Sequence, residues 1–259
     1  MSALAHERAG AGPRAVLLLH GLLGSARNLR ALAERDTSLG VVALDLTGHG
    51  GSPPLPPGAD TATLARDVLD TARGLDLAGA LTLVGHSLGG RIALRAARLA
   101  PGAIAAITLL DVAPGASSAG DGVTRILEVL RRAPVVVASR AQGRAHLIAG
   151  GLPPALADWL SLNLEPTSAG HRWRVDREAL AALHARSAGE DLWPAVEGPR
   201  AYAVRCVRGG ASQFVSAADA RRLEAAGCPV ATIEGAGHLL HVERPYQVLE
   251  AVMAGLLPP

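Results

Sequence analysis

The residues best equipped for chemistry are in Gly85-His86-Ser87-Leu88-Gly89, a G-x-S-x-G pattern between an apolar run and a helix-like stretch. A serine on so tight a turn projects its Oγ outward, and the flanking glycines let strand and helix approach closely. Ser87 is thus the candidate nucleophile toward an acyl carbonyl, with the Leu88 N–H facing the reacting oxygen. A second amide, Leu22 in His20-Gly21-Leu22-Leu23-Gly24, would complete an oxyanion hole worth about 3 kcal/mol per donor. Gly235-Ala236-Gly237-His238 follows the last apolar run and offers His238 as general base.

These groups need a frame that brings distant loops to one edge. Ala15–Leu19, Val41–Leu44, Leu81–Val84 and Ile104–Leu110 are short continuous apolar runs, the mark of strands buried on both faces. Helical patterns at Asn28–Glu34, Thr63–Arg73 and Leu88–Leu99 alternate with them, which predicts a parallel sheet covered on both sides. The rhythm stops at Asp111 and resumes with a strand at Tyr202–Val207, a helix near Ala217–Ala226, a strand at Val230–Ile233 and a helix at Pro245–Leu256. Residues 112–199 have helical pieces, few convincing strands and many prolines, and are read as a helical cap on a core made of 1–111 and 200–259. Within the cap, Val123, Ile126, Leu127 and Leu130 share one helix face, and Asp176 is placed as an N-cap.

Composition narrows the function. At 259 residues, 49% hydrophobic and 19% charged, the chain suits one large α/β domain with an insertion. All 25 basic residues are arginine, which excludes Schiff-base chemistry, pyridoxal phosphate attachment and a Walker-A loop. A net charge of +2 without a basic block argues against a nucleic-acid partner. Cys206 and Cys228 have no metal or disulfide spacing and are expected to be free core thiols. The apolar run at Ala15–Ala26, preceded by Arg8 and Arg14, is broken by His20 and too short to span a bilayer. No membrane segment is expected, and the expected location is cytoplasmic.

Together with Asp45–Ser52 (DLTGHGGS) and Glu243-Arg244-Pro245, these motifs resemble the alpha/beta-hydrolase family from Leu4 to the final helix. The resemblance implies an α/β fold with a mostly parallel sheet of about seven strands, the family's first being absent, and a cap inserted after the sixth family strand. Most members carry the triad acid after the strand that follows the cap, but Arg208–Val215 contains no carboxylate, and Asp219 reads as a first-turn helix charge. Asp111, ending the strand after the nucleophile helix, is similar in position to the acid of the YbfF-type esterase subgroup, and Ser212 would then be an accessory hydroxyl beside the histidine. The cap carboxylates Asp176 and Glu178 are the alternatives.

The activity implied is hydrolysis of small or medium acyl esters or thioesters by a Ser87-His238-Asp111 triad through an acyl-enzyme, without cofactor or metal. Leu22, Leu23, Trp173 and Phe214 are candidates for the acyl pocket. Competing readings are a triad-dependent lyase of the menaquinone-pathway type, which Leu19–Ser25 and Gly85–Leu94 also resemble, and a non-catalytic binding member of the fold. His20, His49 and His86 are read as structural, and His238 with His241 lacks a third metal ligand. Between Asp121 and Gly150 a formal excess of +3 could meet an anionic leaving group such as coenzyme A, although a solvated face explains it more simply.

Overall fold

The computed structural model describes residues 3–10, 12, 15–33, 40–77, 80–116 and 120–254; Arg14, Glu34 and Leu256 lie outside the described residues. The first half runs β1 (His6–Ala9), β2 (Ala15–Leu19), α1 (Ala26–Ala33), β3 (Gly40–Leu44), α2 (Thr61–Gly74), β4 (Leu81–His86), α3 (Leu88–Leu99) and β5 (Ile104–Leu110). The next elements are α4 (Gly120–Arg132), β6 (Val136–Val137), α5 (Arg140–Ala149), α6 (Pro154–Leu160), β7 (Leu164–Thr167), β8 (Gly170–Trp173), α7 (Arg177–Ala188) and α8 (Pro194–Glu197). The chain closes with β9 (Ala203–Gly209), α9 (Ala217–Ala225), β10 (Val230–Ile233), α10 (Leu240–Glu243) and α11 (Pro245–Met253).

Seven strands form one sheet in the order β1-β3-β2-β4-β5-β9-β10, parallel except for β1, which pairs antiparallel with β3. The single short strand ahead of Ala15 is therefore an edge strand. Alternation along the central strands divides the core into two layers. Leu17, Leu83 and Leu109 pack with Leu64, Val68 and Ile92 of α2 and α3. Leu18, Val84 and Leu110 pack with Leu29 of α1 and with Val248 and Val252 of α11. Each fully buried leucine contributes about 2 kcal/mol through burial. Cys206 and Cys228 are buried and free.

The segment between β5 and β9, called the cap below, holds more strand than the expected helical cap with few convincing strands. It contains an antiparallel three-stranded sheet in the order β6-β8-β7. Two-residue β6 is too short to show alternation, and β7 contains Pro166, which an edge strand tolerates because it need not donate there. The leucines of α4, α5, α6 and α7 (Leu130, Leu147, Leu160, Leu183) belong to the same apolar cluster as the α2/α3 face of the sheet. Arg91, Arg95 and Arg186 tie the root of the cap to the core. Arg91 Nη1 donates to Gly115 O at 2.7 Å and its Nη2 to Glu190 O, Arg95 pairs with the Glu190 carboxylate, and Arg186 Nε donates to Ala59 O at 2.8 Å.

Candidate active site

The parallel strands all end at one edge of the sheet, so His20, Ser87, Asp111 and the loops after β9 and β10 meet there. Ser87 sits between β4 and α3 with φ 51° and ψ −116°. Its N–H extends the ladder to Leu110 O at 3.0 Å, while its carbonyl accepts the Gly90 N–H at 3.0 Å. Close packing requires the glycines here. A Cβ on Gly85 would lie 2.4 Å from the Gly90 nitrogen, and one on Gly89 would lie 2.1 Å from the Leu19 carbonyl oxygen. Leu88 is the first residue of α3, so its N–H has no acceptor within the helix.

Leu22 N–H belongs to the Gly21–Leu22 peptide, whose carbonyl accepts from His20 Nδ1 at 2.8 Å and from the Gly24 N–H at 3.0 Å. In a trans peptide the N–H points opposite to the C=O, so these two donors fix the direction of the Leu22 N–H. His20 can donate from Nδ1 because its Nε2 accepts the Leu46 N–H at 3.0 Å, which sets the tautomer. His49 repeats the pattern, with Nδ1 donating to Thr47 O and Nε2 accepting the Leu23 N–H, both at 3.1 Å. Burial drives both rings neutral, His20 well below the usual histidine range and His49 down to about 4.

Asp111 is fully buried and left-handed, with φ 51°. Three donors converge on its carboxylate. Gly209 N–H reaches Oδ1 at 2.9 Å, while Oδ2 accepts from the Ser212 hydroxyl and from His238 Nδ1, the latter at 2.8 Å. With Nδ1 donating, Nε2 of His238 is the basic nitrogen. The Phe214 ring stacks on His238, centroids 3.7 Å apart and planes within 17°. His86 Nε2 donates to the His238 carbonyl at 2.8 Å, and Glu243 holds the adjoining Gly237 N–H at 2.7 Å. His241 lies against His86 with centroids 4.4 Å apart, and burial lowers it to about 4. Among the described residues four non-glycine positions have positive φ, and Leu23, Ser87 and Asp111 are three of them. Such strain concentrates where surroundings overdetermine a functional geometry.

The other carboxylates are engaged elsewhere. Asp176 is exposed and caps α7, its Oδ1 accepting the Glu178 and Ala179 N–H groups at 3.0 Å. Glu178 pairs with Arg131 at 2.7 Å, and Asp219 forms a capping box with Ser216 at the start of α9. Trp173, expected in the pocket, is instead buried within the cap, where its Nε1 donates to Pro134 O at 3.0 Å. Its aromatic size serves the packing of the small cap sheet. Among the described residues no group of three or more His, Cys, Asp and Glu side chains could hold a metal. No helix among them is long and apolar enough to cross a membrane.

A two-lobed cleft opens at Ser87, and Leu22, Ser87, Val123 and Phe214 line both lobes. The larger lobe, about 630 Å³, is walled mainly by apolar side chains, including Leu23, Leu156 and Trp159, and His238 borders it. The smaller lobe, about 310 Å³, carries Arg91, Gln213 and Asp219. Of the arginines read as a basic excess, Arg131, Arg132 and Arg144 have carboxylate partners, Arg140 bonds the Leu164 carbonyl, and Arg125 borders the larger lobe. The simpler solvated-face explanation thus accounts for most of the charge. Leu22, Leu23 and Phe214, pocket candidates by sequence, line the cleft, whereas the histidine tautomer network and the division into two lobes have no sequence signal, since their partners are far apart in the chain.

Comparison with known proteins places this geometry in a family. Residues 16–252 match the model described as the alpha/beta hydrolase family. The chain is similar to lipase LipV of Mycobacterium tuberculosis, 29% identical with 95% of each chain covered. It is also similar to esterase YbfF of Escherichia coli, 29% identical over 92% of this chain and 91% of that one. Among solved structures a marine microorganism esterase superposes with a TM-score of 0.87 at 22% identity, covering 97% of this chain and 98% of its own. With its sheet, its elbow and a family match over most of its length, the chain belongs to the alpha/beta hydrolase family.

Proposed function

We propose that this protein is a serine hydrolase that cleaves small or medium acyl esters through an acyl-enzyme. Relatives named as an esterase and a lipase support ester hydrolysis in general. The observation that carries the finer reading is the chain of bonds from Ser212 and Gly209 through Asp111 to His238, beside the strained Ser87. Ser87 Oγ bonds to the acyl carbon as His238 Nε2 takes its proton. The carbonyl π electrons move to oxygen, which the Leu22 and Leu88 amides receive. Collapse breaks the bond to the leaving group, which departs with the proton from His238. Water then adds to the acyl carbon by the same base, releasing the acid and restoring Ser87.

Proton transfer also orients the substrate. The leaving oxygen must come within hydrogen-bond reach of His238, which borders the larger lobe, so the leaving group takes that apolar lobe and the acyl group the smaller one. An ester of an apolar alcohol fits better than a coenzyme A thioester, because most of the cap arginines are already paired. Labelling with a fluorophosphonate followed by peptide mass spectrometry tests the reading. An adduct on Ser87 is expected, and a folded protein that resists labelling would favour a binding role.

A further inference from the structure

Leu23 holds the left-handed bend of the oxyanion loop, with φ 65°, a conformation unfavourable for a leucine unless its surroundings enforce it. The core and the cap each secure one of its peptide groups. From the core, His49 Nε2 accepts the Leu23 N–H at 3.1 Å. From the cap, Asn163 Nδ2 donates to the Leu23 carbonyl at 2.9 Å, across 140 residues of sequence. Asn163 is itself fixed by the cap sheet, because it precedes β7 directly and its carbonyl accepts the Arg174 N–H just past β8, at 2.8 Å. Leu23 is buried, so without Asn163 its carbonyl would have to find another donor or turn.

We infer that Asn163 is a positioning residue through which the seated cap holds the oxyanion loop in its working shape. The Leu23 carbonyl and the Gly24 N–H share one peptide plane, so turning that carbonyl would withdraw the Gly24 N–H from the Gly21 carbonyl and release one of the two donors that fix the direction of the Leu22 N–H. The cap thereby acts on the chemistry as well as on access, and the small cap sheet serves as the mount for the donor. The inference rests on the serine-hydrolase reading for its catalytic consequence, whereas the mechanical link between Asn163 and the loop stands apart from it.

The test uses Asn163→Leu, similar in size but without a donor, and Asn163→Asp, similar in shape with acceptors only. Four quantities are read on the full chain: kcat and KM on a short-chain aryl ester, affinity for a trifluoromethyl ketone that forms an oxyanion adduct, and hydrogen–deuterium exchange of residues 20–24. Expected are a fall in kcat of about tenfold with KM within about twofold, since an interaction used only in the transition state is weakened. The ketone should lose affinity by the same factor, and exchange in the loop should rise. A purely structural role would lower Tm and leave the kcat of the folded fraction and the ketone affinity unchanged. If Asn163→Leu fails to fold, Asn163→Asp decides. If the wild type shows no turnover above Ser87→Ala, the hydrolase reading fails, and the exchange measurement alone decides whether Asn163 holds the loop. Unchanged exchange at residues 20–24, or wild-type kcat in a folded variant, overturns the inference.

Discussion

Replacing Asp111 by asparagine isolates what its carboxylate does, because the volume is preserved while the negative charge is lost and the pattern of donors and acceptors changes. Three donors point at the aspartate: the Gly209 N–H, the Ser212 hydroxyl and His238 Nδ1. Asparagine offers a single acceptor oxygen. The Gly209 N–H is held by the β9 backbone and cannot turn away, so the amide oxygen takes its place at Oδ1 and the NH₂ group falls where Oδ2 was. The Ser212 hydroxyl can rotate to accept from that NH₂, but His238 must present an unprotonated Nδ1 to it. The proton then sits on Nε2, which can no longer accept one from Ser87. Loss of the correct tautomer in a serine triad lowers kcat by about 10⁴, equivalent to about 5.5 kcal/mol in the barrier. The assay is kcat on a short-chain aryl ester for wild type and Asp111→Asn, with Tm establishing that the variant is folded. A folded variant within tenfold of wild type would refute the assignment of Asp111.

Two further expectations follow from the same geometry. Asp176→Ala should cost about 1 kcal/mol of stability through loss of the α7 cap while kcat stays within twofold, measured by urea unfolding and the same ester assay. Acid sensitivity should come from buried neutral histidines. Burial lowers His49 and His241 from 6.5 to about 4 and moves His20 and His86 in the same direction. Below pH 6.5 the unfolded chain binds protons that the folded chain refuses, so this stability is full above that pH and is lost as pH falls toward 4. For His49 and His241 the loss amounts to about 3 kcal/mol each. Unfolding free energies at pH 7.5 and pH 5 should show it, and equal values would contradict the neutral assignment.

Much of the framework was legible because the signals are local. Ala15–Leu19, Leu81–Val84 and Ile104–Leu110 are apolar on both faces, and each proved to be a central strand. Asp176 followed by an apolar helical pattern announced an N-cap through short-range bonding alone. The small cap sheet was not legible, since β6 has two residues and the pairing of β7 with β8 passes through a proline and a glycine. The place of Trp173 is illegible for the same reason: its aromatic size fits a pocket or a core equally well until the sheet around it is known. Asn163 carries no signal at all, being one polar residue whose partner, Leu23, is brought to it only by the docking of the cap. The tautomers of His20, His49 and His86 likewise depend on Leu46, Leu23 and His238, which sequence spacing does not connect.

The most direct measurement is turnover of a matched short-chain aryl ester and acyl-coenzyme A thioester by wild type, with Ser87→Ala as the blank. Ester turnover that depends on Ser87, with the larger kcat/KM for the ester, is the predicted result. Activity that survives in Ser87→Ala, or its absence in folded wild type, would contradict a serine-centred mechanism.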